Sequence, residues 1–187
     1  MLDVADKRLL LALARERITA HLEGREENLP EPTPSVMTHA GGFVTLHSRV
    51  GKQRTLRGCI GHIDARTSIY ETVKSVSYSA AFQDFRFPPL TLPELPTIEV
   101  EVSVISPFER VRTPEEITPG THGLFISRGT RAGLLLPQVA AERNWDRETF
   151  LVQTCRKAGL PEDAWRDPET EISRFTGEVF DESSLAR

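Results

Sequence analysis

A cysteine stands beside an arginine and between two glycines in residues 56–63, Leu-Arg-Gly-Cys-Ile-Gly-His-Ile. Alternate side chains of an extended strand share a face, so Arg57, Cys59 and Gly61 are predicted to point the same way. A guanidinium next to the sulfur would favour the thiolate, which is the nucleophilic form of cysteine. Glycines inside a strand usually mark a bulge or a place where a ligand or another backbone approaches closely, and we expect open space around Cys59. The segment indicates a functional site but names no reaction.

Two uses of this site remain open. As an enzyme, or an accessory domain of one, the protein would use Cys59 as a nucleophile or redox-sensitive thiol, and Gly58 and Gly61 would expose backbone N–H groups to a developing oxyanion. As a binding module it would receive a peptide, a protein partner or a small acidic ligand along the glycine-flanked strand, and Cys59 would only pack its floor.

Arg57 also has two interpretations. It can bind a carboxylate or phosphate of a ligand in a bidentate manner, or it can form a structural ion pair with Asp84 or Glu99. His62 is a candidate base, but an unbroken strand directs it to the face opposite Cys59, so a catalytic role would require a bulge.

Residues 84–90, Asp-Phe-Arg-Phe-Pro-Pro-Leu, supply secondary candidates. The two prolines forbid regular helix, so the segment is predicted to be a rigid, aromatic-lined loop. Asp84 and Arg86 then either border a pocket or satisfy each other and the nearby backbone. Gln138, next to a proline that starts a helix, is a further candidate ligand contact. Cys155 falls on the apolar face of a predicted helix and is assigned to the core.

No metal or cofactor is predicted. Cys59 and His62 have the spacing of half a zinc site, but no second cysteine–histidine cluster and no HExxH sequence follow. The chain also lacks the three-cysteine cluster that would hold the iron–sulfur centre of a radical enzyme.

Composition restricts the class of protein. The 187 residues have a formal net charge of −4 and no long basic stripe, which disfavours nucleic acid as a partner. No apolar run approaches the roughly 20 residues that cross a bilayer, and the N-terminus lacks a secretory signal pattern. We therefore predict a cytoplasmic protein with reduced cysteines.

Local signals predict the elements around the site. Residues 42–48 and 55–63 should form a hairpin with Gly51 in its turn. Ser68 and Glu71 form a capping box at the start of a helix that ends near Phe82. Residues 97–106 alternate as a strand with one buried face, and residues 172–180 are predicted to return to the same sheet.

Several further segments, with the Cys59 segment, carry a resemblance to a known family. They are Gly42–His47 (GFVTLH), Leu56–Gly61 (LRGCIG), Ala80–Leu90 (AAFQDFRFPPL), Glu99–Val104 (EVEVSV) and Gly133–Ala140 (GLLLPQVA). In this order they resemble the AMMECR1 domain family, which includes the AmmeMemoRadiSam system protein A group of bacteria and archaea. The resemblance covers nearly the whole chain, roughly from the first helix to Phe180.

The resemblance implies an α+β fold of two subdomains with a cleft between them. The larger would hold an antiparallel sheet with flanking helices, in residues 1–106 and 169–187, and the smaller α/β subdomain would be inserted at 107–168. The LRGCIG segment would face the cleft. Genes of related proteins often accompany those of Memo-like and radical S-adenosylmethionine proteins, so the resemblance also implies such partners and participation in a modification system. It assigns no reaction.

Overall fold

The computed structural model describes residues 2–51, 53–63 and 65–185 of the chain. The chain forms two compact units, residues 1–105 with 178–187 and residues 106–177. The helices and strands are, in chain order, α1 (Val4–Glu23), β1 (Gly41–Val50), β2 (Gln53–His62), α2 (Ile69–Phe82), β3 (Ile98–Ile105), β4 (Glu109–Arg110), β5 (Gly123–Arg128), β6 (Arg131–Leu135), α3 (Pro137–Glu142), α4 (Arg147–Lys157), β7 (Glu171–Phe175), β8 (Gly177–Asp181) and α5 (Glu182–Leu185).

The described residues of the first unit build a four-stranded sheet in the order β2-β1-β3-β8, and β1 pairs antiparallel with both β2 and β3. Helices α1 and α2 share one apolar core with the buried residues of β1 and β3, among them Val44, Leu46, Val100 and Val102. The alternation predicted for residues 97–106 is therefore the alternation of a strand with its even-numbered residues in the core.

Helices α1 and α2 begin at capping side chains that lie next to them in the sequence. The Ser68 side chain accepts a hydrogen bond from the Glu71 N–H and caps α2, as the capping box predicts. Asp3 caps α1, and Gly24 ends it with a left-handed φ of 64°. Because these ends are fixed locally, the length of α2 determines where the following loop leaves the helix.

Strand β2 contains a bulge, which is one of the two features that glycines inside a strand indicate. Leu46 pairs with Gly58 and His47 pairs with Leu56, so Arg57 is the extra residue between the two pairs. Leu56 therefore lies on the sheet face of Cys59 and Gly61. The prediction that Arg57 points the same way as Cys59 is wrong.

Gly58 lies on the opposite face, where α2 crosses the sheet. A β-carbon at Gly58 would stand closer than 3.0 Å to the backbone carbonyl oxygen of Ala80. Glycine is required here because the helix backbone approaches the strand directly.

The second unit, in its described residues, holds a sheet in the order β4-β7-β5-β6 with antiparallel pairing of β4 with β7 and of β5 with β6 and β7. Helix α4 packs Phe150, Leu151 and Cys155 into a separate core with Leu124 and Ile126 of β5. Asp146 caps α4, and Gly159 follows its C-terminal end with φ of 69°.

The segment 172–180 differs from its prediction. It is two strands rather than one: β7 pairs with β5 in the second sheet, and only β8 joins the first. The backbone changes sheets at Thr176, whose carbonyl accepts from the Ser106 N–H and whose N–H donates to the Ser106 hydroxyl. The inserted unit consequently extends over 106–177, where the sequence analysis placed it at 107–168.

The architecture is the predicted α+β class, with two antiparallel sheets and several helices. In the described part of the chain, no helix combines the length and apolar character that a membrane span requires.

Replacing Gly58 with alanine tests the close approach of α2. The added methyl group must displace the Ala80 backbone, so we expect a loss of about 1–3 kcal/mol in the free energy of unfolding, the usual cost of overpacking. Urea unfolding measures it, with Cys59→Ala as the neighbouring control on the other sheet face. A Gly58→Ala variant as stable as the wild type would contradict the packing.

Candidate functional site

Both backbone groups of Cys59 are bound by side chains of one loop. The Asp84 carboxylate (Oδ2) accepts from the Cys59 N–H at 2.8 Å, and the Arg86 guanidinium (Nη2) donates to the Cys59 carbonyl at 3.0 Å. Strand β2 is at the edge of its sheet, where N–H and C=O groups otherwise lack a partner strand. Together the two side chains occupy the positions that a neighbouring strand would fill.

Asp84 and Arg86 also bind each other. Arg86 donates from Nε to Oδ1 at 2.9 Å and from Nη2 to Oδ2 at 2.7 Å, and its backbone N–H donates to Oδ1 at 3.2 Å. Asp84 is only 4% exposed, and the hydrogen bonds from Arg86 hold the pKa of its carboxyl well below its usual value despite burial. The same pairing raises the pKa of Arg86. Asp84 and Arg86 therefore bind each other and the nearby backbone, which is the second of the two roles predicted for them.

Arg57 is engaged by neither of its two predicted partners. Its Nε donates to Glu94 Oε1 at 2.8 Å and its Nη2 to Glu94 Oε2 at 3.3 Å, so the ion pair is bidentate. The side chain is 11% exposed, and these bonds lower the pKa of Glu94 to about 2. The predicted ion pair with Asp84 or Glu99 is wrong, because the bulge redirects Arg57 toward the 3₁₀ turn at 92–97.

The Cys59 thiol is free and half-buried. It accepts a hydrogen bond from the hydroxyl of Thr45, its cross-strand neighbour, at 3.3 Å. Its own N–H is held by Asp84 and so is not free to stabilise an oxyanion. Arg57, the cation that the catalytic interpretation placed beside the thiol, is bound to Glu94 instead.

Gly61 does not leave open space, contrary to expectation. A β-carbon there would clash with the ring of Phe43 and with the Gly42 carbonyl. The glycine allows the Phe43 ring to cover strand β2, which is a packing function.

The remaining candidates have other surroundings. His62 pairs with Gly42, three register positions from Thr45, and lies on the face opposite Cys59. Gln138 is half-buried in the first turn of α3, in the second unit. Cys155 is in the core of that unit, and burial raises the pKa of its thiol. Within residues 2–51, 53–63 and 65–185, no group of histidine, cysteine and acidic side chains has an arrangement that could hold a metal ion.

Phe85 is the feature that the sequence analysis missed. It stands between Asp84 and Arg86 and is 95% exposed. The next aromatic residue, Phe87, is half-buried, with the guanidinium of Arg57 at 5.9 Å and that of Arg86 at 5.6 Å from its ring centroid. The signal in the sequence is an apolar residue between two residues of opposite charge.

Comparisons with known proteins assign this chain to a family. The AMMECR1 family model matches residues 11–180. The chain belongs to the AMMECR1 family. A relative in Thermococcus gammatolerans is 44% identical over 181 residues, which are 92% of this chain and 88% of the relative. One in Methanothermobacter thermautotrophicus is 43% identical over 183 residues, 94% of this chain and 93% of that one.

A solved AMMECR1-like structure supports the fold. The crystal structure of an uncharacterized protein of Pyrococcus horikoshii matches with a TM-score of 0.81 and 39% identity. The match covers 95% of this chain and 91% of the other.

The pair of Asp84 with Arg86 predicts a specific pH dependence. The Asp84→Asn variant keeps an acceptor for the Cys59 N–H but loses the charge-assisted bonds to Arg86, so we expect it to be about 1–3 kcal/mol less stable at pH 7. The folded-state pKa of Asp84 lies below its unfolded value, so its contribution is complete above about pH 4–5 and is lost as the pH falls toward the folded pKa.

The free energy of unfolding in urea, measured from pH 7 to pH 2, tests this expectation. The difference between wild type and Asp84→Asn should narrow as the pH falls. Glu162→Gln, which removes an exposed ion pair with Arg156, serves as control and should cost no more than about 1 kcal/mol. A difference for Asp84→Asn that is the same at every pH would show that the charge of Asp84 is not what stabilises the loop.

Proposed function

We propose that this AMMECR1-family protein is a binding module that holds a protein or peptide partner at residues 84–89, the anchored loop. The observation that carries the proposal is Phe85, a 95% exposed aromatic residue on a loop whose flanking side chains, Asp84 and Arg86, are fixed to strand β2.

Anchoring makes the exposed ring suitable for recognition. The Asp84 carbonyl accepts from the Phe87 N–H at 3.0 Å, and the Leu90 N–H donates to the Ala81 carbonyl at 2.8 Å, so both ends of the loop are held. The surface is therefore already ordered before a partner binds, so binding costs little conformational entropy of the loop. Aromatic and arginine side chains in such positions contribute most of the energy of many interfaces.

The chemistry of the anchored loop indicates what the partner presents. Phe85, Pro88 and Pro89 offer exposed apolar surface, and Arg86 beside them is 45% exposed at its side chain. A partner segment with an apolar pocket and a nearby carboxylate matches this combination. We propose a Memo-like or a radical S-adenosylmethionine protein as the partner, on the gene association that the family resemblance implies.

Covalent catalysis by Cys59 is supported less well. Arg57 is bound to Glu94, the Cys59 backbone is bound to Asp84 and Arg86, and Gly58 and Gly61 are explained by packing. Two features favour chemistry: the half-buried free thiol with its Thr45 hydrogen bond, and the Arg86 guanidinium, whose pKa is raised first by Asp84 and also by its interaction with that thiol.

Phe85→Ser tests the binding surface. With purified Memo-like and radical S-adenosylmethionine proteins as probes, we expect the variant to bind at least about tenfold more weakly than the wild type, because interface aromatic anchors commonly contribute that much. Isothermal titration calorimetry gives the dissociation constants. Val50→Ser is the matched control, because Val50 is also exposed, at 72%, but lies at the turn of the β1–β2 hairpin.

Equal affinity for the wild type and Phe85→Ser would remove the anchored loop from the interface. Failure of the wild type to bind either purified protein would overturn the assigned partners.

Cys59→Ser separates the two uses of the site. The binding module predicts affinity within about twofold of the wild type, because the serine hydroxyl can replace the thiol in its hydrogen bond with Thr45, and the backbone bonds that hold the anchored loop to residue 59 are unchanged. Loss of binding in Cys59→Ser, together with rapid iodoacetamide labelling of native Cys59 that the partner blocks, would instead favour thiol chemistry.

A further inference from the structure

The second unit contains a cavity of about 390 Å³ whose charged lining side chains are all positive. Its charged lining residues are Arg143, Arg156 and Lys157, and its other lining residues are Leu135, Val139, Trp145 and Gln153. Among the described residues no aspartate or glutamate lines it, although the chain as a whole has a net charge of −4. A concentration of cations in a concave surface of an acidic protein is the electrostatic pattern of an anion site.

Two of the three cations have no carboxylate partner. In the described part of the chain no ion pair involves Arg143 or Lys157, whereas Arg156 donates to Glu162 Oε1 from Nε at 3.0 Å and from Nη2 at 2.5 Å. Arg156 and Lys157 belong to the last turn of α4, where cations stabilise the free carbonyl groups of the helix. That effect does not explain Arg143, which follows α3.

The backbone brings Arg143 to the aromatic part of the cavity. Asn144 adopts a left-handed conformation with φ of 51°, which asparagine tolerates better than most residues. The turn places the Arg143 guanidinium 5.4 Å from the ring centroid of Trp145. Trp145 packs in turn against the buried Phe150, with ring centroids 6.4 Å apart. The indole is thus fixed from the core side beside a cation that no carboxylate of the described residues neutralises.

We propose that this cavity binds a small organic anion that carries a ring. Its phosphate or carboxylate group is bound by Arg143 and Lys157, and its ring lies against the apolar surface of Trp145, Leu135 and Val139. The volume lies within the roughly 300–1,000 Å³ of small-molecule sites. The cavity belongs to residues 106–177, whereas the anchored loop belongs to the first unit, so this inference is independent of the proposed binding function.

Tryptophan fluorescence in a Trp165→Phe background reports on this site through Trp145. The probes are adenosine 5′-monophosphate, benzoate and inorganic phosphate. We expect saturable quenching by one of the ring-bearing probes and weaker binding of inorganic phosphate. Preference for the nucleotide assigns a phosphate ligand, and preference for benzoate assigns a carboxylate ligand.

Paired variants distinguish the cavity from general electrostatic attraction. Arg143→Ala with Lys157→Ala should weaken binding of the preferred probe at least about tenfold, as loss of charge-assisted hydrogen bonds requires. Arg110→Ala with Arg112→Ala removes the same charge from exposed positions elsewhere in the unit and should change affinity less than about twofold. The proposal is overturned if neither ring-bearing probe binds at millimolar concentration, if inorganic phosphate binds as tightly as they do, or if the two double variants weaken binding equally.

Discussion

The hydrogen bonds of Asp84 and Arg86 with the backbone of Cys59 hold together the part of the structure on which the proposed binding surface rests. An edge strand must have its outward N–H and C=O groups satisfied, and at Cys59 a carboxylate and a guanidinium do so instead of another strand. The geometry depends on α2. Its Ala80 carbonyl packs on Gly58, and the chain that leaves its C-terminal end delivers Asp84 to the next residue of the strand. Helix, strand and loop are therefore one packed arrangement.

This arrangement changes the interpretation of the glycine-flanked cysteine. The glycines at 58 and 61 accommodate a helix backbone and an aromatic ring, and the arginine at 57 binds a glutamate of the following turn. Because the Cys59 backbone is already paired, a peptide cannot extend the sheet at this residue without displacing Asp84 and Arg86. In the proposed function, a partner therefore binds the side chains that the loop exposes, which are Phe85 and Arg86 beside it. In the proposed binding function, the segment around Cys59 therefore supports the loop that binds the partner and is not itself a catalytic site.

Sequence alone predicted the features that depend on local signals. The capping residue Ser68, the strand at 97–106 and the pairing of Asp84 with Arg86 follow from neighbouring residues. It failed where one residue alters register or where distant segments meet. The glycines at 58 and 61 indicate a bulge or a close approach but do not give its position. The bulge lies at Arg57 and brings that side chain to Glu94, a residue 37 positions away. The division of 172–180 between two sheets likewise depends on contacts of Thr176 with Ser106. The exposure of Phe85 could not be predicted, because residue type does not say which of the two phenylalanines in residues 84–90 packs against the protein and which faces solvent.

Amide hydrogen exchange at Cys59, measured by NMR on the native protein, tests whether Asp84 holds the edge of strand β2. Gly61 is the internal reference: it is two residues along the same edge strand, its N–H points away from β1 by the alternation of antiparallel pairs, and no side chain of the described residues binds it. The account predicts that the Cys59 amide exchanges at least about tenfold more slowly than the Gly61 amide, since only the former donates to a buried carboxylate. Equal rapid exchange at both amides would show that Asp84 does not hold the strand edge, and the anchored loop would then have no fixed geometry with which to present Phe85.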